Sequence, residues 1–214
     1  MNNGHFKTFD GSEIFYREWN FRPNQKSIII IHRGHEHSER LNDIATSEQF
    51  SGYNIFAFDL RGHGHTKTQT SSVFMDYVRD LDYFSKFLKS EYEVKISDIF
   101  VIANSIGGVV SAAWVHDFAP QIAGMALLAP AFRINLIVPL ANEMITLGTK
   151  LKKGLIIKSY VKSKMLTHDP AQQKAYDTDP LITRSIDAEL LIDLAKAGKR
   201  LVDDAEAIDT PTLI

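Results

Sequence analysis

Ala103-Asn104-Ser105-Ile106-Gly107 is the stretch of this 214-residue chain whose residue types and spacing suit covalent chemistry. Ser105 is flanked two residues before and two after by residues with almost no side chain. A serine hydroxyl can attack a carbonyl carbon and form an acyl ester, provided a nearby base takes its proton. Small neighbours at this spacing allow a strand-to-helix turn so sharp that the serine oxygen stands clear of the sheet, a nucleophile elbow. Such a turn also aims the next backbone N–H, that of Ile106, and the helix N-terminus at the place where an oxyanion would form. The first small position is alanine rather than glycine, an addition of one methyl group. A serine here could instead be a plain helix N-cap. The flanks favour the nucleophile. Residues 98–102, Asp-Ile-Phe-Val-Ile, read as a buried strand, and residues 109–115, Val-Val-Ser-Ala-Ala-Trp-Val, as a well-packed helix.

Two polar loops follow buried strands in the same way. Residues 27–31, Ser-Ile-Ile-Ile-Ile, run into His32-Arg33-Gly34-His35-Glu36-His37-Ser38-Glu39-Arg40, and residues 53–58 run into Asp59-Leu60-Arg61-Gly62-His63-Gly64-His65-Thr66. In open parallel sheets, site residues gather in such loops at the carboxyl ends of strands. His32, His35, His37, His63, His65 and Glu36 invite a metal reading. Their spacing matches neither H-E-x-x-H nor a structural zinc pattern, so no metal is expected.

The remaining elements must position these loops. Residues 6–9 and 13–19 alternate on either side of Asp10-Gly11, which predicts a hairpin at a sheet edge. Residues 41–50 read as a helix, as do residues 71–91, where Phe74, Val78, Leu81, Phe84 and Leu88 share one face. Residues 122–129 form a further buried strand closing at Pro130. This alternation predicts a mostly parallel sheet with helices on both faces. From residue 132 to about 168 apolar residues lack a strand signature and six lysines gather (150, 152, 153, 158, 162 and 164), with breaks expected at Pro139, Gly148 and Gly154. Asp169-Pro170 and Asp179-Pro180 punctuate this insertion. Helical spacing returns over residues 185–202, and residues 210–214 open another core strand.

Composition adds bounds. Hydrophobic residues are 44% and charged residues 23%, ordinary for one soluble globular domain. A net charge of −2 gives no reason to expect a nucleic-acid partner. The absence of cysteine excludes disulfides and thiolate catalysis and fits a reducing, cytoplasmic compartment. The first residues carry no signal-peptide pattern, and no apolar run approaches ~20 residues.

With these loops in place the chain resembles the α/β-hydrolase group that contains monoacylglycerol lipases and bacterial lysophospholipases. His32-x-x-x-Glu36-His37-Ser38 resembles that group's H-G-x-x-E-H-S loop. Phe58-Asp59-Leu60-Arg61-Gly62-His63-Gly64 resembles its D-x-x-G-H-G loop, and Ala103-Asn104-Ser105-Ile106-Gly107-Gly108 its G-H-S-M-G-G elbow. Asp179-Pro180-Leu181 falls where the group has D-P-L at the end of its lid. The segments His32 to His37, Ala113-Trp114-Val115-His116-Asp117 and Leu166-Thr167-His168-Asp169-Pro170 further resemble the hydrolase half of bacterial fusions with a class I S-adenosylmethionine-dependent methyltransferase. On that resemblance a methyltransferase domain would lie beyond Ile214.

The resemblance implies an α/β-hydrolase fold with a core over 1–131, a helical lid insertion over 132–184 and a return to the core over 185–214, C-terminally incomplete. It implies Ser105 as nucleophile and the backbone N–H groups of Ile106 and Gly34 as the oxyanion hole, with Arg33 the alternative donor. His32, Arg33, Glu36 and His37 become candidates for the substrate pocket. Arg33 stands where the group has glycine, and its side chain is expected to point to solvent, the alternative being an anionic head group. The Asp and His that complete such a triad follow later strands, so neither is expected within the 214 residues. His116, eleven residues along the elbow helix and so about 16 Å away, and His168, in the lid, are not expected to replace the base. The implied activity is cofactor-free hydrolysis of a lipid ester, a monoacylglycerol or lysophospholipid, with the lid as an apolar wall and transient contact with a membrane surface through its lysines. The alternatives are a non-catalytic lipid-binding or partner module, or a thioesterase, acyltransferase or peptidase on the same fold.

Overall fold

The isoleucines at 28–31 run up the middle of a seven-stranded sheet in the computed structural model, which describes residues 1–67, 73–133, 154–159 and 161–214. In chain order the strands are β1 (Asn2–Lys7), β2 (Glu13–Trp19), β3 (Ser27–Ile31), β4 (Asn54–Phe58), β5 (Ile99–Asn104), β6 (Gly124–Leu128), β7 (Ile156–Lys158), β8 (Ser185–Asp187) and β9 (Thr212–Leu213). The large sheet has the order β1-β2-β4-β3-β5-β6-β9. The β1–β2 hairpin is antiparallel and joins β4 antiparallel, whereas β4, β3, β5, β6 and β9 are mutually parallel. The helices are α1 (Asn42–Ala45), α2 (Phe74–Glu91), α3 (Ile106–Phe118), α4 (Pro170–Thr178) and α5 (Ala188–Asp203).

Successive strand side chains point to opposite faces, and β3 shows why its isoleucines are continuous. Ile29 and Ile31 enter the large core with Phe74, Val78, Leu81, Phe84 and Leu88 of α2 and Val109, Val110 and Trp114 of α3. Ile28 and Ile30 enter a smaller core with Trp19, Leu41, Ala45, Ile55 and Ala57. Both faces of β3 are thus buried, as a parallel strand between helical layers requires. Helix α3 lies between α2 and α5, so the elbow at its start is held from both sides. Among the described residues no helix is long and apolar enough to cross a membrane.

Three elements differ from expectation. Residues 41–50 are not one helix: they form 3-10 turns at Ser38–Leu41 and Glu48–Phe50 around the single turn of α1. Only Leu41 and Ala45 are buried there, and the Thr46 hydroxyl bonds the Asn42 carbonyl at 2.8 Å, so neither burial nor backbone bonding carries a helix onward. Residues 185–187 are strand, not helix. They pair antiparallel with β7, inside a segment read as lacking strands, and Asp187 then caps α5 by accepting the N–H groups of Glu189 and Leu190. Gly154 sits at φ 68° in a turn just before β7. The expected breaks at Pro139 and Gly148 lie outside the described residues.

Candidate active site

Ser105 is the one residue between β5 and α3, and it has φ 54° and ψ −116°. That is a conformation an L-residue rarely adopts. It is over-determined by its surroundings: the Ser105 N–H donates to Leu128 O at 3.0 Å, and its carbonyl accepts from Gly108 N at 3.0 Å and Ala131 N at 3.1 Å. The two glycines that follow are steric requirements. A Cβ on Gly107 would stand 2.8 Å from the His32 carbonyl oxygen, and one on Gly108 would stand 3.0 Å from Pro130. Ala103 points into the core with no exposure, which is where its extra methyl group is accommodated.

The elbow meets the His32 loop directly. A Cβ on Gly34 would lie 2.7 Å from the tip of the Ile106 side chain, so the Gly34 backbone packs directly against Ile106. Among the described residues neither the Gly34 nor the Ile106 N–H has an acceptor, and the Ser105 hydroxyl has no hydrogen-bond partner. The Arg33 N–H is also unpaired there, but it is Gly34 that packs on Ile106.

The pocket candidates make bonds within the protein, and His37 lines a separate cavity with Arg40, Asp179 and Leu181. His32 is fully buried: its Nδ1–H donates to Arg33 O at 2.8 Å, and its Nε2 accepts from Leu60 N at 2.9 Å. Burial pushes its pKa down, which fixes a neutral ring. The Arg33 side chain leaves 23% exposed and pairs with Glu36 at 2.7 Å rather than pointing free into solvent, because the nearly buried Glu36 carboxylate needs cations. Arg40 supplies the second, at 3.2 Å. His37 Nε2 meets Asp179 Oδ2 at 2.9 Å and so ties the loop to the segment before β8. Asp59, with no exposure, accepts from Ser38 N at 2.7 Å and His65 N at 2.8 Å, joining the two polar loops.

Two residues outside the candidate set matter more to the cavity. His35, at φ 72°, bonds Ser159 through Nε2 at 2.9 Å, and its carbonyl accepts Thr183 N at 2.9 Å. His63 lines a cavity of about 260 Å³ beside Gly34 and Ile106, together with Tyr77, Asp187 and Leu190. The only signal for His63 in the sequence was its place in the Asp59 loop, which says nothing of direction. His116 lies at the far side of α3. Its ring nitrogens are taken by Asp117 at 2.6 Å and Asp204 at 2.8 Å, and these bonds raise its pKa. His168 is exposed just before α4. Among the described residues no three His, Asp or Glu side chains are placed to hold a metal ion.

The buried imidazoles predict a pH dependence. His32, His35 and His63 all have lowered pKa values, chiefly from burial, with His63 held down to about 3. The unfolded chain binds these protons near pH 6.5 and the folded chain does not, so stability falls as pH drops from about 6.5 toward 3. Each such group contributes up to about 1.4 kcal/mol per pH unit. His116 acts with the opposite sign: its contribution is complete below about pH 6.5 and is lost as pH rises through its raised value. Urea midpoints should fall steadily between pH 7 and pH 5. A flat or rising midpoint would contradict three neutral histidines with lowered pKa values.

Residues 22–214 match the family described as "Serine aminopeptidase, S33". The chain is 41% identical over 211 residues to YnbC of Escherichia coli (strain K12), itself uncharacterized, covering 97% of this chain and 36% of YnbC. It is 27% identical over 185 residues to the monoglyceride lipase of Rattus norvegicus, covering 83% of this chain and 59% of that protein. The crystal structure of Paleococcus ferrophilus monoacylglycerol lipase superposes with a TM-score of 0.79 at 21% identity, covering 94% of this chain and 76% of the other. The chain thus spans about a third of YnbC and about three-fifths of the rat protein.

Proposed function

Because the chain belongs to the serine aminopeptidase S33 family and has the α/β-hydrolase fold, we propose that it hydrolyses carboxylic esters of lipids, a monoacylglycerol or a lysophospholipid, through an acyl-enzyme on Ser105. The observation that carries this reading is the conformation of Ser105, φ 54° and ψ −116°, beside Gly34 and Ile106, whose N–H groups have no acceptor among the described residues. The Ser105 oxygen attacks the ester carbonyl, and the oxyanion that develops takes hydrogen bonds from the N–H groups of Ile106 and Gly34. Collapse breaks the ester C–O bond, expels the alcohol with the proton that the serine gave up to a base, and leaves the acyl group on Ser105. Water then releases the acid and restores the serine.

The serine needs a base, and among the described residues no histidine makes a hydrogen bond to its oxygen. The segment 132–184 serves as the lid in this reading. Its described part is fastened to the core by His35 with Ser159, His37 with Asp179, and Thr183 with Gly62. The names of the rat and Paleococcus relatives support a monoacylglycerol as substrate. The full-length protein should be given a monoacylglycerol and a lysophospholipid of the same acyl chain, with fatty-acid release measured. Acid from at least one, abolished by Ser105→Ala, is the expected result. Binding of either lipid without release of acid would favour a non-catalytic module instead.

A further inference from the structure

His35 stands in an unfavourable state on two counts. Its backbone, at φ 72°, lies in the left-handed region, where a side chain is crowded by its own peptide groups. Its ring is buried, and among the described residues Nδ1 has no hydrogen-bond partner. The backbone conformation belongs to a turn. The Glu36 N–H donates to Arg33 O at 3.3 Å, and of the two central residues only His35 is left-handed. That is the type II pattern, whose third position ordinarily takes glycine or asparagine. The same four residues close a type I turn when the peptide between the central two turns over, and then no left-handed residue is needed. Gly34, the second residue of the turn, supplies one of the two proposed oxyanion donors. A strained conformation persists where its surroundings over-determine it. Here they come from one small unit: Ser159 follows β7, Thr183 comes just before β8, and the Ser159 N–H donates to Arg184 O at 3.0 Å. The Thr183 N–H donates to the His35 carbonyl at 2.9 Å and tethers the turn. Ser159 Oγ meets His35 Nε2 at 2.9 Å and holds the ring. The direction of the ring changes with φ, so the Ser159 bond is the one that distinguishes the two turns.

We propose that His35 is a positioning residue for the oxyanion hole: the bond from Ser159 keeps the Arg33–Glu36 turn in its left-handed form, and that form presents the Gly34 N–H beside Ser105. The proposal rests on the reading of Ser105 as the nucleophile. The hold leads back to the elbow. β8 runs straight into α5, which Asp187 caps, and α5 packs on α3, the helix that Ser105 opens. Seated on His35, the lid of the proposed reading therefore also sets a donor. The consequence falls on turnover rather than on affinity, because an oxyanion donor is engaged in the transition state and not in ground-state binding. A His35 that only fastened the lid would act through stability or substrate affinity, whatever backbone conformation its replacement preferred.

The test is hydrolysis by the full-length protein of whichever of the two lipid esters it cleaves, with kcat and KM measured separately and kcat counted per folded molecule. His35→Gly and His35→Val both delete the ring and its bond, but glycine adopts φ 72° freely and a β-branched residue resists it. The glycine variant is expected to turn over at least about tenfold faster than the valine variant, part of the roughly 10²–10³-fold worth of a whole donor. Their KM values should agree within about twofold. Ser159→Ala removes the bond and leaves the ring. It should lower kcat about threefold in the native background, the worth of one weak hydrogen bond. Added to His35→Gly it should leave kcat where it was, since the hydroxyl acts through the ring alone. That comparison stands whether or not the valine variant folds. Equal turnover by the glycine and valine variants, the same loss on Ser159→Ala in both backgrounds, or a loss carried by KM would each overturn the proposal. A native protein that releases no fatty acid from either ester would instead overturn the Ser105 reading, and this proposal with it.

Discussion

Ser105→Gly is expected to give a protein about 1 kcal/mol more stable than the native chain and devoid of ester hydrolysis. The backbone at this position, φ 54° and ψ −116°, lies where a Cβ is crowded by its own peptide groups. Such conformations cost of order 1–3 kcal/mol. Glycine removes that cost and gives back about 0.4–1 kcal/mol through the greater freedom of the unfolded chain, so the net gain is about 1 kcal/mol. Ser105→Ala keeps the Cβ and with it the strain, so its stability should be close to native. Both variants lack the hydroxyl and should lose at least ~10³-fold in turnover. Urea unfolding of the three proteins separates the two effects. A glycine variant no more stable than the alanine variant would mean that the turn stores no strain.

Asp80→Ala should destabilise the fold by about 3–5 kcal/mol, the cost of breaking a buried ion pair from one side. Arg61 and Asp80 each leave 1% of the side chain exposed. The carboxylate takes two bonds from the guanidinium, at 2.6 and 2.9 Å, and a third from the Thr8 hydroxyl at 2.6 Å. Alanine leaves the guanidinium buried with only Asp10, whose side chain is 31% exposed, on its other edge. The effect reaches the site because the Arg61 carbonyl anchors both Tyr77 and His63. Asp10→Ala, which removes the more exposed partner, should cost less. The urea midpoint measures both. A loss below about 1 kcal/mol for Asp80→Ala would show that Arg61 finds another partner.

The parts of the fold that were legible in the sequence are those where one steric demand decides the residue. The elbow needs small residues around Ser105, and Gly107 faces a carbonyl oxygen that no Cβ can approach. The isoleucines of β3 need two buried faces, and Asp10-Gly11 needs a hairpin. Residues 41–50 were misread because apolar spacing alone does not report that Ile44 stays 38% exposed. The β7–β8 pair was missed because three-residue strands have too few positions for alternation to register. Within the site, residue type gave chemistry without direction. His32 and His37 look like pocket residues as letters, yet Leu60 N takes one ring nitrogen of His32 and Asp179 one of His37, while among the described residues His63 Nε2 has no partner.

The central claim is that Ser105 is a nucleophile. It is tested most directly by treating the full-length protein with a fluorophosphonate and weighing it intact. One adduct is expected on the native protein and none on Ser105→Ala. An unmodified native protein, or an adduct that survives in Ser105→Ala, would contradict it.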